Sequence, residues 1–267
     1  MIRKEPVYLP ELAKALGWEI LQEGKQPWIA QISQDTRTLR ADSPSLFFAL
    51  DGPNHDGHLF LQEAKAAGAV AVVVEKVPPS FPAEIYVFRS PEGTLHALQQ
   101  LARFIRRSSK ASIVGITGSN GKTIVKEWAW RLISPDFDVL RSPGSYNSSI
   151  GVPLSLWPLS AKHQIALIEA GVSQPGDMDG LESMIQPDIG LWTHMGNAHL
   201  DNFPNESTLV QEKAKLFKKV DFLIYGSDHP LVKASVKELP CPKLDYGMNE
   251  KAALRYGWNS SYIQLFW

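Results

Sequence analysis

The segment Gly115-Ile116-Thr117-Gly118-Ser119-Asn120-Gly121-Lys122-Thr123 is the strongest indication of fold class in this 267-residue chain. It completes an apolar strand predicted at residues 113–117 and opens a helix predicted at residues 122–133. Small residues in such a loop let backbone N–H groups converge on phosphate oxygens, and the new helix directs its partial positive end at the same point. The stretch therefore predicts a nucleotide-binding loop at the carboxyl end of a β-strand.

The residue types in this loop suit different parts of a nucleotide. Lys122 adds a full positive charge near the terminal phosphates, and the Thr123 hydroxyl can bind Mg²⁺. The residues expected to bind the nucleotide are Gly118, Ser119, Asn120, Gly121, Lys122 and Thr123. The strict phosphate-loop pattern requires glycine where this chain has Ile116, so a glycine-rich turn with a solvated lysine is the alternative interpretation. The flanking strand and helix favour the nucleotide.

Strand–helix alternation begins at residue 112. Strands are predicted at 113–117, 139–141, 165–169, 189–193 and 222–225, and helices at 122–133, 151–157, 177–185, 209–220 and 229–239. This alternation predicts an α/β fold with a parallel sheet covered on both faces, which binds ligands beyond the carboxyl ends of its strands. Short helices and strands mix in residues 1–89, which predict a small mixed α/β domain. Residues 90–110 predict a connector helix, and residues 111–267 the nucleotide-binding domain.

The amino-acid composition and net charge limit the classes of protein to which this chain can belong. Hydrophobic residues make up 44% of the chain, which is typical of a globular protein. The net charge is −1, so the chain has no overall positive electrostatic field that would attract nucleic acid or anionic lipid. The longest apolar run, residues 69–74, is far shorter than the roughly 20 residues of a membrane helix. Cys241 is the single cysteine, so an internal disulfide is excluded. We expect a cytoplasmic protein whose partners are neither nucleic acid nor membrane.

Further motifs follow the loop in a fixed order. They are Asn147-Ser148-Ser149-Ile150-Gly151-Val152-Pro153, Ile168-Glu169-Ala170-Gly171, Asn197-Ala198-His199-Leu200-Asp201, and Lys213 twelve residues after Asp201. With the variant spacing of the loop, this series resembles the Mur ligases, which use ATP to join an amino acid or dipeptide to a nucleotide-linked cell-wall precursor. The folylpolyglutamate and cyanophycin synthetases are relatives of that family.

The front segment extends this resemblance, which covers residues 8 to about 240. The matching stretches are Ser33-Gln34-Asp35-Thr36-Arg37, Leu46-Phe47-Phe48-Ala49-Leu50-Asp51-Gly52 and Asp56-Gly57-His58. They resemble the UDP-binding domain of the ligases that add the third amino acid or D-alanyl-D-alanine. The resemblance thus implies a UDP-substrate domain followed by a P-loop ATPase domain with a parallel sheet.

The resemblance also implies cofactors and residue roles. ATP and Mg²⁺ are the cofactors, and the catalytic residues are Lys122, His199 and Lys213. Thr123 and Glu169 would hold one Mg²⁺, and His199 with Lys213, carried as a carbamate, would serve a second. The residues expected to contact the UDP-linked substrate or its phosphate are Ser33, Asp35, Thr36, Arg37 and Asn147.

Several of these residues have a simpler interpretation. Asp35 and Arg37 could form a turn with a surface ion pair, and Lys213 lies in a charged stretch typical of a solvated helix face. His199 could be a solvated loop histidine. A metal cluster in residues 55–58 is disfavoured because no further ligands stand at zinc spacing, so a loop beside the sugar nucleotide is favoured there.

Within the family, the sequence around Asn147, Glu169 and His199 is most similar to that of ligases that use UDP-N-acetylmuramoyl tripeptide and D-alanyl-D-alanine. It resembles the version of these ligases in Bacteroidetes-type bacteria, which is often fused to an alanine racemase. A diaminopimelate- or lysine-adding Mur ligase, a folylpolyglutamate synthetase and a non-catalytic nucleotide-binding module are the alternatives. The resemblance implies a longer central domain and a carboxyl-terminal Rossmann-like domain beyond residue 267. We therefore expect a truncated chain with little ligase turnover alone.

Overall fold

The computed structural model describes residues 2–52, 55–77, 79–196, 200–249, 251–259 and 262–266. The chain divides into two compact units. The first runs to Ser109 and includes Pro153–Ser160, and the second comprises Lys110–Val152 with the residues from Ala161 onward. Across the described ranges, no helix has both the length and the apolar character that crossing a bilayer requires.

The first unit is built on a mixed sheet. Its elements are β1 (Ile2–Tyr8), α1 (Leu9–Leu16), β2 (Glu19–Gln22), β3 (Trp28–Ser33), β4 (Ser45–Phe48), β5 (Asp51–Gly52), β6 (His55–Asp56), α2 (Leu61–Ala66), β7 (Ala69–Val74), β8 (Tyr86–Arg89) and α3 (Thr94–Ser108). Six strands form the sheet in the order β1-β3-β4-β7-β8-β2, parallel in the middle and antiparallel at both edges. Strands β5 and β6 pair separately.

Helix α3 belongs to this first unit. Its buried side chains Leu98, Leu101 and Ile105 recur at helical spacing, and the helix contacts α1, β4 and β7. The structure therefore differs from the expected connector at residues 90–110, and the first unit ends at Ser109 rather than near Arg89. Helical periodicity located the helix correctly, but it cannot say which sheet the apolar face covers.

Residues 153–160 also join the first unit, which no sequence pattern indicated. Trp157 is fully buried there, and its indole Nε1 donates a hydrogen bond of 3.0 Å to the Ala30 carbonyl in β3. The Arg3 guanidinium lies 5.7 Å from the centre of the Trp157 ring. A large aromatic side chain with a satisfied N–H group thus anchors this short segment to the sheet.

The elements from residue 110 onward alternate as predicted. They are β9 (Ser112–Thr117), α4 (Lys122–Ile133), β10 (Val139–Arg141), α5 (Gly151–Leu156), β11 (Ile165–Glu169), α6 (Asp177–Ile185), β12 (Ile189–Trp192), α7 (Glu206–Ala214), β13 (Phe222–Gly226), α8 (Pro230–Lys237), β14 (Lys243–Gly247), β15 (Leu254–Asn259) and β16 (Tyr262–Phe266). The sheet has the order β10-β11-β9-β12-β13-β14-β15-β16. All pairs are parallel except β15–β16, so the expected α/β fold is confirmed.

The strand order creates a crevice at the carboxyl end of β9. From β9 the chain passes through α4 to β10 at one edge, whereas from β12 it proceeds to β13 toward the other edge. Adjacent strands whose connections leave in opposite directions border the usual ligand site of such sheets. In register, Glu169 of β11 and Trp192 of β12 lie opposite Ile116 and Thr117 of β9. The glycine-rich loop therefore begins between two other strand ends.

Some predicted boundaries were wrong for local reasons. The helix expected at 209–220 begins earlier, at Glu206, because the Asn205 side chain accepts a hydrogen bond from the Thr208 N–H and caps it. It ends at Ala214, and a 3₁₀ turn, Lys215–Phe217, follows. Strands β1, β2 and β14 were not predicted, and the apolar tail forms the second strand of a hairpin.

We predict that Trp157→Ala destabilises the first unit by about 3–5 kcal/mol, because it removes a fully buried aromatic ring and leaves a cavity. Trp128→Ala is the matched control, since that side chain is 65% exposed. Urea unfolding monitored by circular dichroism gives the comparison. Equal, small effects of both substitutions would show that the 153–160 segment is not anchored through Trp157.

Candidate functional site

The loop between β9 and α4 requires glycine at two positions. Gly118 has φ +149°, and a Cβ there would lie 2.0 Å from Thr193 Oγ1, so no side chain fits. Gly121 has φ +83°, a left-handed conformation that favours glycine, and it precedes α4 without a side-chain cap. The first N–H groups of α4 therefore have neither intrahelical partners nor a capping side chain, which suits an anion.

Backbone contacts with the end of β12 hold the loop in shape. The N–H groups of Ser119 and Asn120 donate to the His194 carbonyl at 2.9 and 3.2 Å. Thr193 Oγ1 donates toward the carbonyls of Asn120 and Thr117 at 2.8 and 3.1 Å. Ser119 and Asn120, expected to bind nucleotide, thus use these N–H groups within the protein. Their backbone shapes the loop so that the start of α4 faces the crevice.

Two lysine side chains meet at one carbonyl oxygen. Lys122 Nζ donates to Gly118 O at 2.8 Å and to Ser119 O at 3.2 Å, and Lys213 Nζ donates to Gly118 O at 3.2 Å. Burial lowers the pKa of Lys122. Burial, and then the charge of Lys122, lowers the pKa of Lys213 from 10.5 to about 7. Lys213 is only 1% exposed, so it is not part of a solvated helix face.

A hydroxyl and a carboxylate meet beside the start of α4. Thr123 Oγ1 donates a hydrogen bond of 3.2 Å to Glu169 Oε2 and lies 3.4 Å from Ser145 Oγ. Glu169 ends β11 and is fully buried. Its other oxygen, Oε1, forms an ion pair of 2.9 Å with Lys126 Nζ but accepts no hydrogen bond. Carboxylate and hydroxyl oxygens are the ligand types that Mg²⁺ prefers, so these two residues fit that ion.

Asn147 lies in the loop after β10, next to the chain that leaves β11. Its side-chain oxygen would lie 2.9 Å from a Cβ placed on Gly171, and its carbonyl accepts a hydrogen bond of 2.9 Å from the Gly171 N–H. The structure therefore brings Asn147 close to the chain two residues beyond Glu169. His199, expected beside them, lies outside the described residues.

The expected substrate residues of the first unit form a compact turn. The Asp35 carboxylate accepts the Arg37 N–H at 3.0 Å and pairs with the Arg37 guanidinium at 2.7 Å, which lowers the pKa of Asp35. Ser33 Oγ lies 2.6 Å from Thr38 Oγ1, and Thr36 Oγ1 donates to a Glu63 carboxylate. The turn and ion pair are thus present, and the Arg37 side chain is 87% exposed.

His58 has a structural role in the same unit. Its Nδ1 lies 2.7 Å from Asp56 Oδ1, and its Nε2 accepts hydrogen bonds from the Glu75 and Lys76 N–H groups at 3.0 and 3.3 Å. Because Nε2 accepts, Nδ1 carries the proton toward Asp56. Both ring nitrogens are used in joining the loop to the end of β7.

Sequence analysis missed three residues that build this site. Lys126 lies one turn after Lys122, and its Nζ lies 2.9 Å from Glu169 Oε1 and 3.3 Å from Glu127 Oε1. Ser142 accepts the Glu169 N–H at 3.1 Å, and Thr193 supports the loop. One signal could have identified Lys126, because a lysine four residues after the loop lysine lies on the same helix face.

Comparison with known proteins identifies the family. The profile of the Mur ligase middle domain matches residues 116–265. The chain is 30% identical over 250 residues to UDP-N-acetylmuramoyl-tripeptide–D-alanyl-D-alanine ligase of Bacillus subtilis, covering 92% of this chain and 53% of that protein. The chain therefore spans about half the length of the curated relatives that it matches.

Solved structures agree with the fold. MurF from Acinetobacter baumannii superposes with a TM-score of 0.84 at 24% identity, over 94% of this chain and 55% of that one. MurF ligase from Thermotoga maritima, in complex with ADP, superposes with a TM-score of 0.75 at 26% identity, over 87% of this chain and 54% of that one.

We predict that Lys213 makes stability depend on pH. Its pKa is about 7 in the folded chain and 10.5 in the unfolded chain, so between these values the folded chain binds fewer protons and rising pH favours folding. The free energy of unfolding of the wild type, relative to Lys213→Met, should rise across this window by at most about 1.4 kcal/mol per pH unit. Urea unfolding in CO₂-free buffers measures it, and a pH-independent difference would contradict the buried amine.

Proposed function

The chain belongs to the Mur ligase family, and on that premise we propose that it carries the ATP–Mg²⁺ site and the UDP-precursor site of a ligase that adds D-alanyl-D-alanine to UDP-N-acetylmuramoyl tripeptide. The observation that carries this proposal is the cluster around the glycine-rich loop. Lys122 and Lys213 meet at Gly118 O, and Thr123 meets Glu169, at neighbouring strand ends of one parallel sheet.

The reaction requires stabilisation of negative charge on the phosphate oxygens more than it requires a nucleophilic side chain. A carboxylate becomes an acceptor for an amine when the terminal phosphoryl group of ATP is transferred to it, giving an acyl phosphate and ADP. The amine then displaces phosphate and forms the amide. Anionic oxygens crowd together during the transfer, so cations and oriented N–H groups are the main catalytic requirement. Lys122 and the first turn of α4 are suited to the nucleotide phosphates.

Two metal sites are part of the proposal. Thr123 and Glu169 would hold one Mg²⁺, and the second would use His199 and a carbamylated Lys213. When bound, Mg²⁺ neutralises phosphate charge and orients the phosphoryl group. The contribution of this chain is a pair of oxygen ligands, the partly exposed Thr123 hydroxyl and the buried Glu169 carboxylate, which lie 3.2 Å apart. Asn147, in the adjacent loop, would orient phosphate or substrate.

The environment of Lys213 supports its carbamylation. A neutral lysine amine adds to CO₂, forming an N–C bond and releasing one proton, and the product is an anion. A pKa of about 7 makes the neutral amine available near neutral pH. Lys122, whose Nζ donates to the same carbonyl oxygen, would offset the new negative charge. The buried lysine then becomes a metal ligand.

The first unit would bind the UDP-linked precursor through residues 33–37. The turn fixes Asp35, and Arg37 presents an exposed guanidinium suited to a diphosphate or a carboxylate. The relatives in Bacillus subtilis and Haemophilus influenzae, which are UDP-N-acetylmuramoyl-tripeptide–D-alanyl-D-alanine ligases, support this proposal.

The alternatives predict different behaviour. A diaminopimelate- or lysine-adding ligase would take a UDP-linked dipeptide rather than the tripeptide. A non-catalytic nucleotide-binding module would bind nucleotide without needing Lys213 as a carbamate. Fusion to an alanine racemase stays a prediction, and it is tested by whether the native reading frame continues into a pyridoxal-phosphate enzyme.

We predict reciprocal effects of two substitutions on ligand binding measured by isothermal titration calorimetry. Lys122→Ala should weaken ATP–Mg²⁺ binding at least about tenfold, because a charge-assisted phosphate contact is lost, and should leave binding of UDP-N-acetylmuramoyl tripeptide unchanged. Arg37→Ala should weaken binding of the UDP-linked tripeptide and leave ATP–Mg²⁺ binding unchanged.

Each variant is the control for the other, and exposed Lys110→Ala and Arg107→Ala control for loss of surface charge in each unit. Binding of neither ligand by the wild-type chain would reject the proposal. Preference for the UDP-linked dipeptide would support the diaminopimelate- or lysine-adding alternative.

We predict that Lys213 forms a carbamate. In ¹³C-bicarbonate, the wild-type chain should show a carbamate resonance that disappears in Lys213→Met and persists in Lys215→Met. Lys215 is the matched control because its hydrogen bond with Asp179 raises its pKa and keeps it an ammonium group. A spectrum that is the same for all three chains would exclude Lys213 as the modified residue.

A further inference from the structure

Lys126 is a fully buried lysine that the proposed chemistry does not use. It lies in α4, one turn beyond Lys122, and its side chain has no exposed surface. Its Nζ donates hydrogen bonds to the carbonyls of Ser142 and Gly144 at 2.7 and 2.6 Å. The same nitrogen lies 2.9 Å from Glu169 Oε1. The ammonium therefore joins α4, the turn after β10 and the carboxylate at the end of β11.

A buried ion pair of this kind is not explained by stability. Removing two charges from water costs several kcal/mol, and well-packed apolar residues of similar volume often replace such pairs without loss. Glu169 is expected to be charged for metal binding, so the sheet must accommodate a buried anion in any case. Lys126 supplies its counter-charge and also controls which of its two oxygens is available.

The two oxygens of Glu169 have different surroundings. Oε1 faces the Lys126 ammonium at 2.9 Å, whereas Oε2 faces the Thr123 hydroxyl at 3.2 Å. The backbone beneath the carboxylate is held as well, because the Glu169 N–H donates to Ser142 Oγ at 3.1 Å. Rotation of the carboxylate would break the ion pair, so only Oε2 is presented on the side of Thr123 and the loop.

We propose that Lys126 is a specificity-determining positioning residue that restricts Glu169 to one-oxygen coordination and so selects Mg²⁺ over Ca²⁺. This inference rests on the proposed metal site at Thr123 and Glu169. Ca²⁺ accepts six to eight oxygens at flexible angles and often takes both oxygens of a carboxylate, whereas Mg²⁺ needs compact octahedral geometry with single oxygens. An ammonium in front of Oε1 penalises the two-oxygen arrangement and leaves the one-oxygen arrangement intact.

The test measures metal selectivity, which a merely structural role would not move. Binding of the non-hydrolysable ATP analogue AMP-PNP to the full chain is titrated calorimetrically with Mg²⁺, with Ca²⁺ and with EDTA. The quantity compared is the ratio of the Mg²⁺-supported to the Ca²⁺-supported affinity. Lys126→Met should lower this ratio by about tenfold, because Oε1 becomes free for Ca²⁺. Lys126→Arg, which keeps a cation and its N–H donors, should retain the wild-type ratio.

The matched control is Lys218→Met, which removes another lysine of the same unit from an ion pair, with Asp179 at 3.5 Å, on the exposed surface. It should leave the ratio unchanged. If Lys126→Met does not fold, Lys126→Gln, whose neutral amide can still donate to a backbone carbonyl, is judged by the same criterion.

The outcomes separate this inference from the proposed function. If the wild-type chain binds AMP-PNP no better with Mg²⁺ than with EDTA, the metal site itself is wrong and the inference falls with it. If the wild type prefers Mg²⁺ and Lys126→Met keeps the same ratio, the metal site stands and the role of Lys126 is overturned. A lower ratio in Lys126→Met, with unchanged ratios in Lys126→Arg and Lys218→Met, supports it.

Discussion

The carbonyl oxygen of Gly118 lies where β9 ends and accepts hydrogen bonds from two lysine side chains, one on α4 and one on α7. This arrangement depends on the absence of a side chain at Gly118, because a Cβ would collide with Thr193 Oγ1 at 2.0 Å. The loop can therefore lie flat against the end of β12, where Thr193 and His194 hold its backbone. The positions of Lys122, Lys213 and the start of α4 all follow from that close approach.

In the second unit, buried charged side chains cluster at the carboxyl ends of the strands. The side chains of Glu169, Lys126 and Lys213 are almost fully buried. Lys213 and Glu169 each accept or donate a hydrogen bond with a residue of the glycine-rich loop or the first turn after it, and Lys126 lies on the helix that follows the loop. Their electrostatic environments differ. Glu169 is paired with Lys126, which also lies 3.3 Å from Glu127, whereas Lys213 faces a second cation and has a pKa of about 7. Buried ionisable groups are costly, so their clustering at strand ends is a physical reason to place the chemistry there.

Much of the architecture was predictable because hydrophobic periodicity is local. Strands β10 and β11 and helices α4 and α6 have the predicted bounds, because apolar runs and helical spacing depend only on neighbouring residues in the sequence. The short or polar strands β1, β2 and β14 carry no such pattern and become strands by pairing with a neighbour. The place of α3 in the first unit was likewise set by which sheet its apolar face covers.

At the site, the loop was predictable from the sequence, because glycine, lysine and threonine at that spacing after an apolar strand suit only a few structures. The sequence also determined the order of motifs that indicated the family. The burial of Lys213 against Gly118 O and the pairing of Lys126 with Glu169 appear only in the folded chain, and Lys213 lies in a charged stretch typical of a solvated helix face. Charge and polarity are properties of single residues, but burial and the choice of partner depend on contacts between residues 43 and 95 positions apart, which no local pattern encodes.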